Sequence, residues 1–214
     1  MKKLLQISLA LATAFGAFAA QAQDARAGEK KVAMCIGCHG IVGYQASFPE
    51  IHKVPMIAGQ NAKYIVAALQ AYAKGDRKHP TMRGIAGSLS EQDMNDVAAF
   101  YEHQAKVTPA PDSVPAAPAN VADLLTKGAC VSCHGANFSK PIDPSYPKLA
   151  GQHADYLSVA LKSYKTDNNA NIGRNNAIMA GQVKQFSNAE LKAIASYIGS
   201  LPTELATVPQ GKFR

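Results

Sequence analysis

The sequence predicts an all-α protein in which one small unit is written twice, and three observations lead there. Val54-Pro55-Met56-Ile57-Ala58-Gly59-Gln60 returns as Tyr146-Pro147-Lys148-Leu149-Ala150-Gly151-Gln152, an internal repeat spanning half the chain. Apolar residues fall at helical spacing in each copy, at Tyr64, Ala68, Leu69 and Tyr72 and again at Tyr156, Ala160, Leu161 and Tyr164, while no run alternates with strand period. The pattern Cys-x-x-Cys-His occurs once per copy.

The elements follow in chain order. Residues 1–22 carry Lys2 and Lys3, an apolar stretch from Leu4 to Ala20 and the small-x-small site Ala20-Gln21-Ala22, the build of a cleavable signal peptide. Gln6, Ser8 and Thr13 interrupt the stretch, which argues against a permanent anchor, and no later segment approaches the roughly 18 to 20 apolar residues of a membrane span. The mature chain is expected to be soluble and periplasmic. The first unit, residues 23–107, is expected to hold a helix from about Gly28 to Cys38, the central amphipathic helix, and a last helix opening at the loose capping box Ser90-x-x-Asp93. Pro109, Pro111, Pro115 and Pro118 mark residues 108–119 as an extended, semi-rigid linker. The second unit, residues 120–214, repeats the plan, with a helix from about Val121 to Cys133 and a strict capping box at Ser187-x-x-Glu190. Three short helices per unit enclose a modest core, which a prosthetic group would help to fill.

Cys35-Ile36-Gly37-Cys38-His39 and Cys130-Val131-Ser132-Cys133-His134 use all four cysteines. In this motif the thiols form thioethers to haem vinyl groups and the histidine supplies one axial nitrogen to iron, so two covalent haem c groups are expected. A zinc ribbon wants its second pair roughly 15 to 20 residues after the first, whereas these pairs are 95 apart. A redox dithiol sits beside a strand-helix-strand pattern and has no use for the histidine. A disulfide framework is disfavoured by the two-residue loops.

The other axial position separates electron transfer from open-site catalysis. Met82 and Met179 correspond in the repeat, 43 residues after His39 and 45 after His134, each expected in a polar loop before the last helix. They are assigned as sixth ligands, with core filling as the alternative. Met56 corresponds to Lys148 and Met94 to Leu191, and Met34 abuts Cys35. His79 competes as a ligand, but its counterpart is Asn176. His52, His103 and His153 are read as surface or structural. Histidine-methionine ligation raises the reduction potential and closes the iron to oxygen and peroxide.

The formal charge of +7 falls to +5 without Lys2 and Lys3, and four propionates reduce it further, which weakens any case for nucleic acid. Lys53, Lys63, Lys74 and Lys78, with Lys140, Lys148, Lys162 and Lys165, are solvated helix faces or a docking rim for an acidic partner.

Together the two Cys-x-x-Cys-His-Gly motifs, the two Pro-x-hydrophobic-Ala-Gly-Gln segments, the Pro80-Thr81-Met82 segment and the proline-rich join resemble the dihaem cytochromes c of the cytochrome c4 type, over essentially the whole mature chain. The resemblance implies two class I cytochrome c-like domains related by a pseudo-twofold, each around one haem. It implies a respiratory carrier of single electrons from a quinol-oxidising complex to a terminal oxidase, with peripheral membrane association an open alternative. It also implies that the Pro55 and Pro147 carbonyls receive the ring N–H of His39 and His134, and that the matching tyrosines and Gln60 or Gln152 hold propionates, core or capping roles being equally open to them. Two departures, Ala177 in place of Pro80 and the longer segment from Gly43 to Val54, would make the haems unequal. The competing readings are a fixed dihaem subunit of an oxidoreductase, such as flavocytochrome sulfide dehydrogenase, and a dihaem peroxidase, which needs an open iron.

Overall fold

The computed structural model describes residues 23–106 and 108–210, so the signal-peptide reading of residues 1–22 lies outside them. The first half runs α1 (Ala25–Glu29), α2 (Ala33–His39), β1 (Gln45–Ala46), β2 (His52–Lys53), α3 (Ala62–Lys74), β3 (Arg77–Lys78), α4 (Pro80–Gly87) and α5 (Glu91–Glu102). The second half runs α6 (Ala119–Lys127), α7 (Cys130–His134), α8 (Ala154–Ser163), β4 (Gly173–Arg174), α9 (Ala177–Val183) and α10 (Asn188–Ser200). The helix-dominated fold agrees with the sequence reading, but each half has five helices among the described residues rather than three.

One excess helix per half comes from a break before the haem motif. In the first half Lys30 ends α1, its N–H bonded to the Ala27 carbonyl, and Val32 turns into the core at 4% exposure before α2 begins. In the second half Gly128 ends α6 and Ala129 takes a left-handed conformation, φ 46°, which redirects the chain into α7. The remaining extra helices, α4 and α9, carry the two candidate methionines.

Both capping boxes are present at the predicted residues. Behind them α5 and α10 supply much of each core: Met94, Val97 and Tyr101 in the first, Leu191, Ile194 and Ile198 in the second. Helix α1 crosses α5 closely. A Cβ on Gly28 would lie 2.1 Å from the Asp96 carbonyl oxygen and 2.9 Å from Phe100 Cβ, so backbone and not a pliable side chain stands in the way. Gly28→Ala is expected to destabilise the fold by about 3 kcal/mol, read as a lowered midpoint in chemical denaturation; an unchanged midpoint would mean that α1 does not dock there.

The linker stays extended up to α6 and lies on the second half. The Tyr197 hydroxyl donates to the Pro115 carbonyl at 2.9 Å, Asn137 Nδ2 donates to that of Pro111 at 3.0 Å, and Val114 and Ala117 pack on the second core. The C-terminal segment instead returns to the first half. Ala206 N–H donates to the Ala58 carbonyl at 3.0 Å and Lys106 N–H to that of Glu204 at 3.1 Å, while Ala206 and Val208 pack on the first core. Gly59, at φ 82°, sits under this segment; a Cβ there would be 2.8 Å from the Glu204 carbonyl oxygen.

The halves are also joined by an antiparallel pairing too short for period-two patterning to reveal. Strand β3 pairs with β4, Arg77 opposite Arg174 and Lys78 opposite Gly173, and Asn175 N–H continues the ladder to the Asp76 carbonyl at 2.6 Å. A second pair, β1 with β2, lies in the longer segment of the first half.

Candidate functional site

A single cavity of about 620 Å³ runs through both halves, lined by Cys35, Cys38 and His39 from one motif and Cys130, Cys133 and His134 from the other. The motif helices are held by their histidines. His39 Nδ1 lies 2.9 Å from the Pro55 carbonyl oxygen, and His134 Nδ1 lies 3.3 Å from that of Pro147. With Nδ1–H donating to a carbonyl, each ring keeps Nε2 as a free lone pair. Burial lowers the pKa of both histidines although the carbonyl bonds oppose it, so both rings are neutral donors at pH 7.

Met82 and Met179 line the same cavity, on helices rather than in the polar loops predicted. They occupy the same helical position, three residues after the N-cap. His79 caps α4, its ring nitrogen accepting from Met82 N–H at 3.4 Å; Asn176 caps α9, its Oδ1 accepting from Met179 N–H at 2.9 Å. The correspondence of His79 with Asn176 is therefore a shared capping position. Pro80, at N1, fits the helix start because it has no N–H to satisfy. Met94 is core at 6% exposure. Met34 and Met56 also border the cavity but have no counterpart in the second half. His52 and His103 bond backbone carbonyls and His153 precedes α8 as its N-cap, all structural positions.

The thiols and the arginines test whether haem suits this cavity. Burial pushes the Cys35 thiol up to about 11 and raises that of Cys130, the reverse of a redox dithiol, whose reactivity needs a depressed thiol. At the junction of the halves, Arg77 Nη1 donates to the Tyr64 hydroxyl at 3.1 Å and its Nη2 to that of Tyr156 at 2.7 Å, while Arg174 Nη2 donates to Tyr156 at 3.2 Å. Burial opposes the charge on both guanidiniums, yet surrounding phenol oxygens keep them above the ordinary arginine value. Burial also raises the Tyr156 phenol, but the two arginines outweigh it and bring the value down to about 8. Among the described residues neither arginine pairs with a carboxylate, and Arg77 Nε is a buried donor without an acceptor. Two cations on the cavity wall lacking an anion of their own fit a group that brings carboxylates with it, as haem does through its propionates.

Gln60 and Gln152 are committed elsewhere. Gln60 Oε1 accepts from Lys148 N–H at 2.9 Å and its Nε2 donates to the Lys148 carbonyl at 2.9 Å. Gln152 Oε1 accepts from Met56 N–H at 3.0 Å and its Nε2 donates to the Met56 carbonyl at 2.8 Å. Each glutamine thus grips the other half's backbone, in place of the propionate role the resemblance implied. Several lysines read as a docking rim also hold the junction: Lys148 Nζ donates to the Gly59 carbonyl at 2.8 Å, Lys162 pairs with Glu50, and Lys78 Nζ donates to the Asn169 carbonyl. Lys63 and Lys74 remain exposed.

A profile of the cytochrome c family matches twice, over residues 25–104 and 118–202. The chain belongs to the cytochrome c family. Cytochrome c4 of Stutzerimonas stutzeri is 33% identical over 218 residues, covering 94% of this chain and 100% of that one. The crystal structure of reduced cytochrome c4 from Pseudomonas stutzeri superposes with a TM-score of 0.65 at 31% identity, covering 85% of this chain and all of that one. A thiosulfate dehydrogenase electron acceptor of Stutzerimonas stutzeri is 31% identical over 181 residues, 78% of each chain. Within the family the chain is a dihaem cytochrome of the cytochrome c4 type, with two covalently bound haem c groups, and an electron carrier rather than an enzyme. When bound, each haem supplies a one-electron iron couple. Among the described residues no helix is long and apolar enough to cross a membrane.

Proposed function

We propose that this cytochrome is a periplasmic shuttle carrying single electrons from a quinol-oxidising complex to a terminal oxidase. Cys35, Cys38, Cys130 and Cys133 would attach the haems, and His39 with Met82, and His134 with Met179, would ligate the irons. The observation that carries the ligand set is the placement of both histidines and both methionines on one cavity, with the methionines at equivalent turns of α4 and α9. Arg77 and Arg174 would receive propionates. With Met82 and Met179 in those positions, the haems would have no site open to substrate and would supply outer-sphere electron transfer.

Stopped-flow mixing of the reduced holoprotein with oxidase-containing membranes tests the acceptor. The shuttle reading expects oxidation of both haems, fast enough to support respiration and slowing as salt screens the encounter. Failure to oxidise, with rapid reduction by thiosulfate dehydrogenase, would favour a second reading: service as that enzyme's electron acceptor. The similarity to a thiosulfate dehydrogenase electron acceptor supports this alternative.

A further inference from the structure

We propose that Gln60 and Gln152 are crossed positioning residues, each tuning the haem iron of the opposite half through a single peptide group. The Pro55 carbonyl, which receives His39 Nδ1–H at 2.9 Å, and the Met56 N–H, which donates to Gln152 Oε1 at 3.0 Å, belong to the same amide. The chain of contacts is therefore His39 ring N–H to Pro55 oxygen, across the amide, and Met56 N–H to Gln152. The second half mirrors it: His134 Nδ1 lies 3.3 Å from the Pro147 oxygen, and the amide's N–H, that of Lys148, donates to Gln60 Oε1 at 2.9 Å.

Amide resonance makes the two ends of such a peptide interdependent. An acceptor on the N–H draws the amide toward its charge-separated form and enriches the carbonyl oxygen, which strengthens the bond that oxygen accepts. A stronger bond to Nδ1–H makes the imidazole a better donor through Nε2, and a better donor favours ferric iron. Gln152 therefore lowers the potential of the first-half haem, and Gln60 that of the second.

The surroundings favour this transmission. Gln60 and Gln152 are 3% and 4% exposed, so water does not replace their bonds. Each amide is also fixed from its own half, Gln60 Oε1 by Asn61 N–H and Gln152 Oε1 by His153 N–H, both at 3.0 Å. The contacts exist only across the junction, so the potentials become properties of the assembled pair of halves.

This inference rests on His39 and His134 being iron ligands, and one experiment separates the two claims. NMR of the reduced, 15N-histidine-labelled holoprotein identifies the ligand rings by their haem-shifted resonances; if these are other histidines, the ligand reading fails. With His39 and His134 so identified, each haem is titrated through its own resonances in Gln152→Met and Gln60→Met, which keep side-chain length but lose the acceptor. Gln152→Met is expected to weaken the His39 Nδ1–H bond and shift the first haem about threefold toward ferrous iron, a fraction of the 10- to 100-fold typical of direct partners of a ligand. The second haem should shift far less, and Gln60→Met should give the mirror image. Gln152→Asn and Gln60→Asn, too short to reach but still polar, should reproduce both signs and serve if the methionine variants do not fold. A shift confined to the mutated half, equal shifts in both haems, or none would overturn the crossed relay.

Discussion

Met82→Ala holoprotein is expected to bind carbon monoxide at its first haem, and the potential of that haem is expected to fall by on the order of 0.1 V, a fraction of the roughly 0.8 V range axial ligands span. The helix that presents Met82 is set independently of the thioether, by the His79 cap, Pro80 at N1 and Ala86, which is 0% exposed. Truncation should therefore remove a ligand without removing its support. Loss of the soft sulfur withdraws the preference for ferrous iron, and the vacated position faces the cavity. Met179→Ala should do the same at the second haem, where Asn176 and Val183 secure α9. Visible spectra with and without carbon monoxide, and potentiometry, read the outcome. No carbon monoxide response with both potentials unchanged would remove Met82 or Met179 from the ligand set.

Removing both thiols of the second motif, Cys130→Ala with Cys133→Ala, is expected to leave one haem per chain and to unfold most of the second half. Phe138, Leu157, Val183 and Phe186 belong both to the second core and to the lining of the 620 Å³ cavity, so a haem held there would be part of that core. If about half the volume were left empty, at about 24 cal/mol per Å³ the loss is about 7 kcal/mol, comparable to the whole stability of a small domain. Haem content by pyridine haemochrome should drop by half, with circular dichroism at 222 nm losing a large share of its amplitude. Two retained haems, or undiminished helicity, would contradict the cavity's role.

The parts of this molecule that were legible in the sequence are those written locally. Capping boxes at Ser90 and Ser187 depend on residues three apart, the central helices on one apolar face, and the Cys-x-x-Cys-His motifs on five consecutive residues. The helices that carry Met82 and Met179 do not stand out in the sequence because they are only 8 and 7 residues long and α9 follows a run rich in Asn that reads as loop; the cap at His79 is hidden because histidine is not an ordinary capping residue. The split before each motif was missed for a similar reason, since a single left-handed alanine at position 129 has no compositional signature.

What joins the halves was harder to read, because it is set by residues about 90 to 100 positions apart. Some signal existed nonetheless. Arg77 and Arg174 share the spacing that matches Met82 with Met179, and Gln60 and Gln152 recur in the repeated segment. A buried polar residue repeated in both copies of a duplicated unit has two candidate uses, within the unit or between units. The pairing of Arg77 and Arg174 across β3 and β4, and the crossed glutamine bonds, belong to the second.

Closure of both irons by histidine and methionine is what would confine this chain to carrying electrons. It is tested most directly by the visible spectrum of purified holoprotein, oxidised and reduced, with and without carbon monoxide, alongside its haem-to-protein ratio. Two haems per chain, the weak red band of methionine on ferric iron and no change with carbon monoxide are the results expected. Carbon monoxide binding by either haem of the native protein would show an iron open to substrate and contradict its closure by methionine.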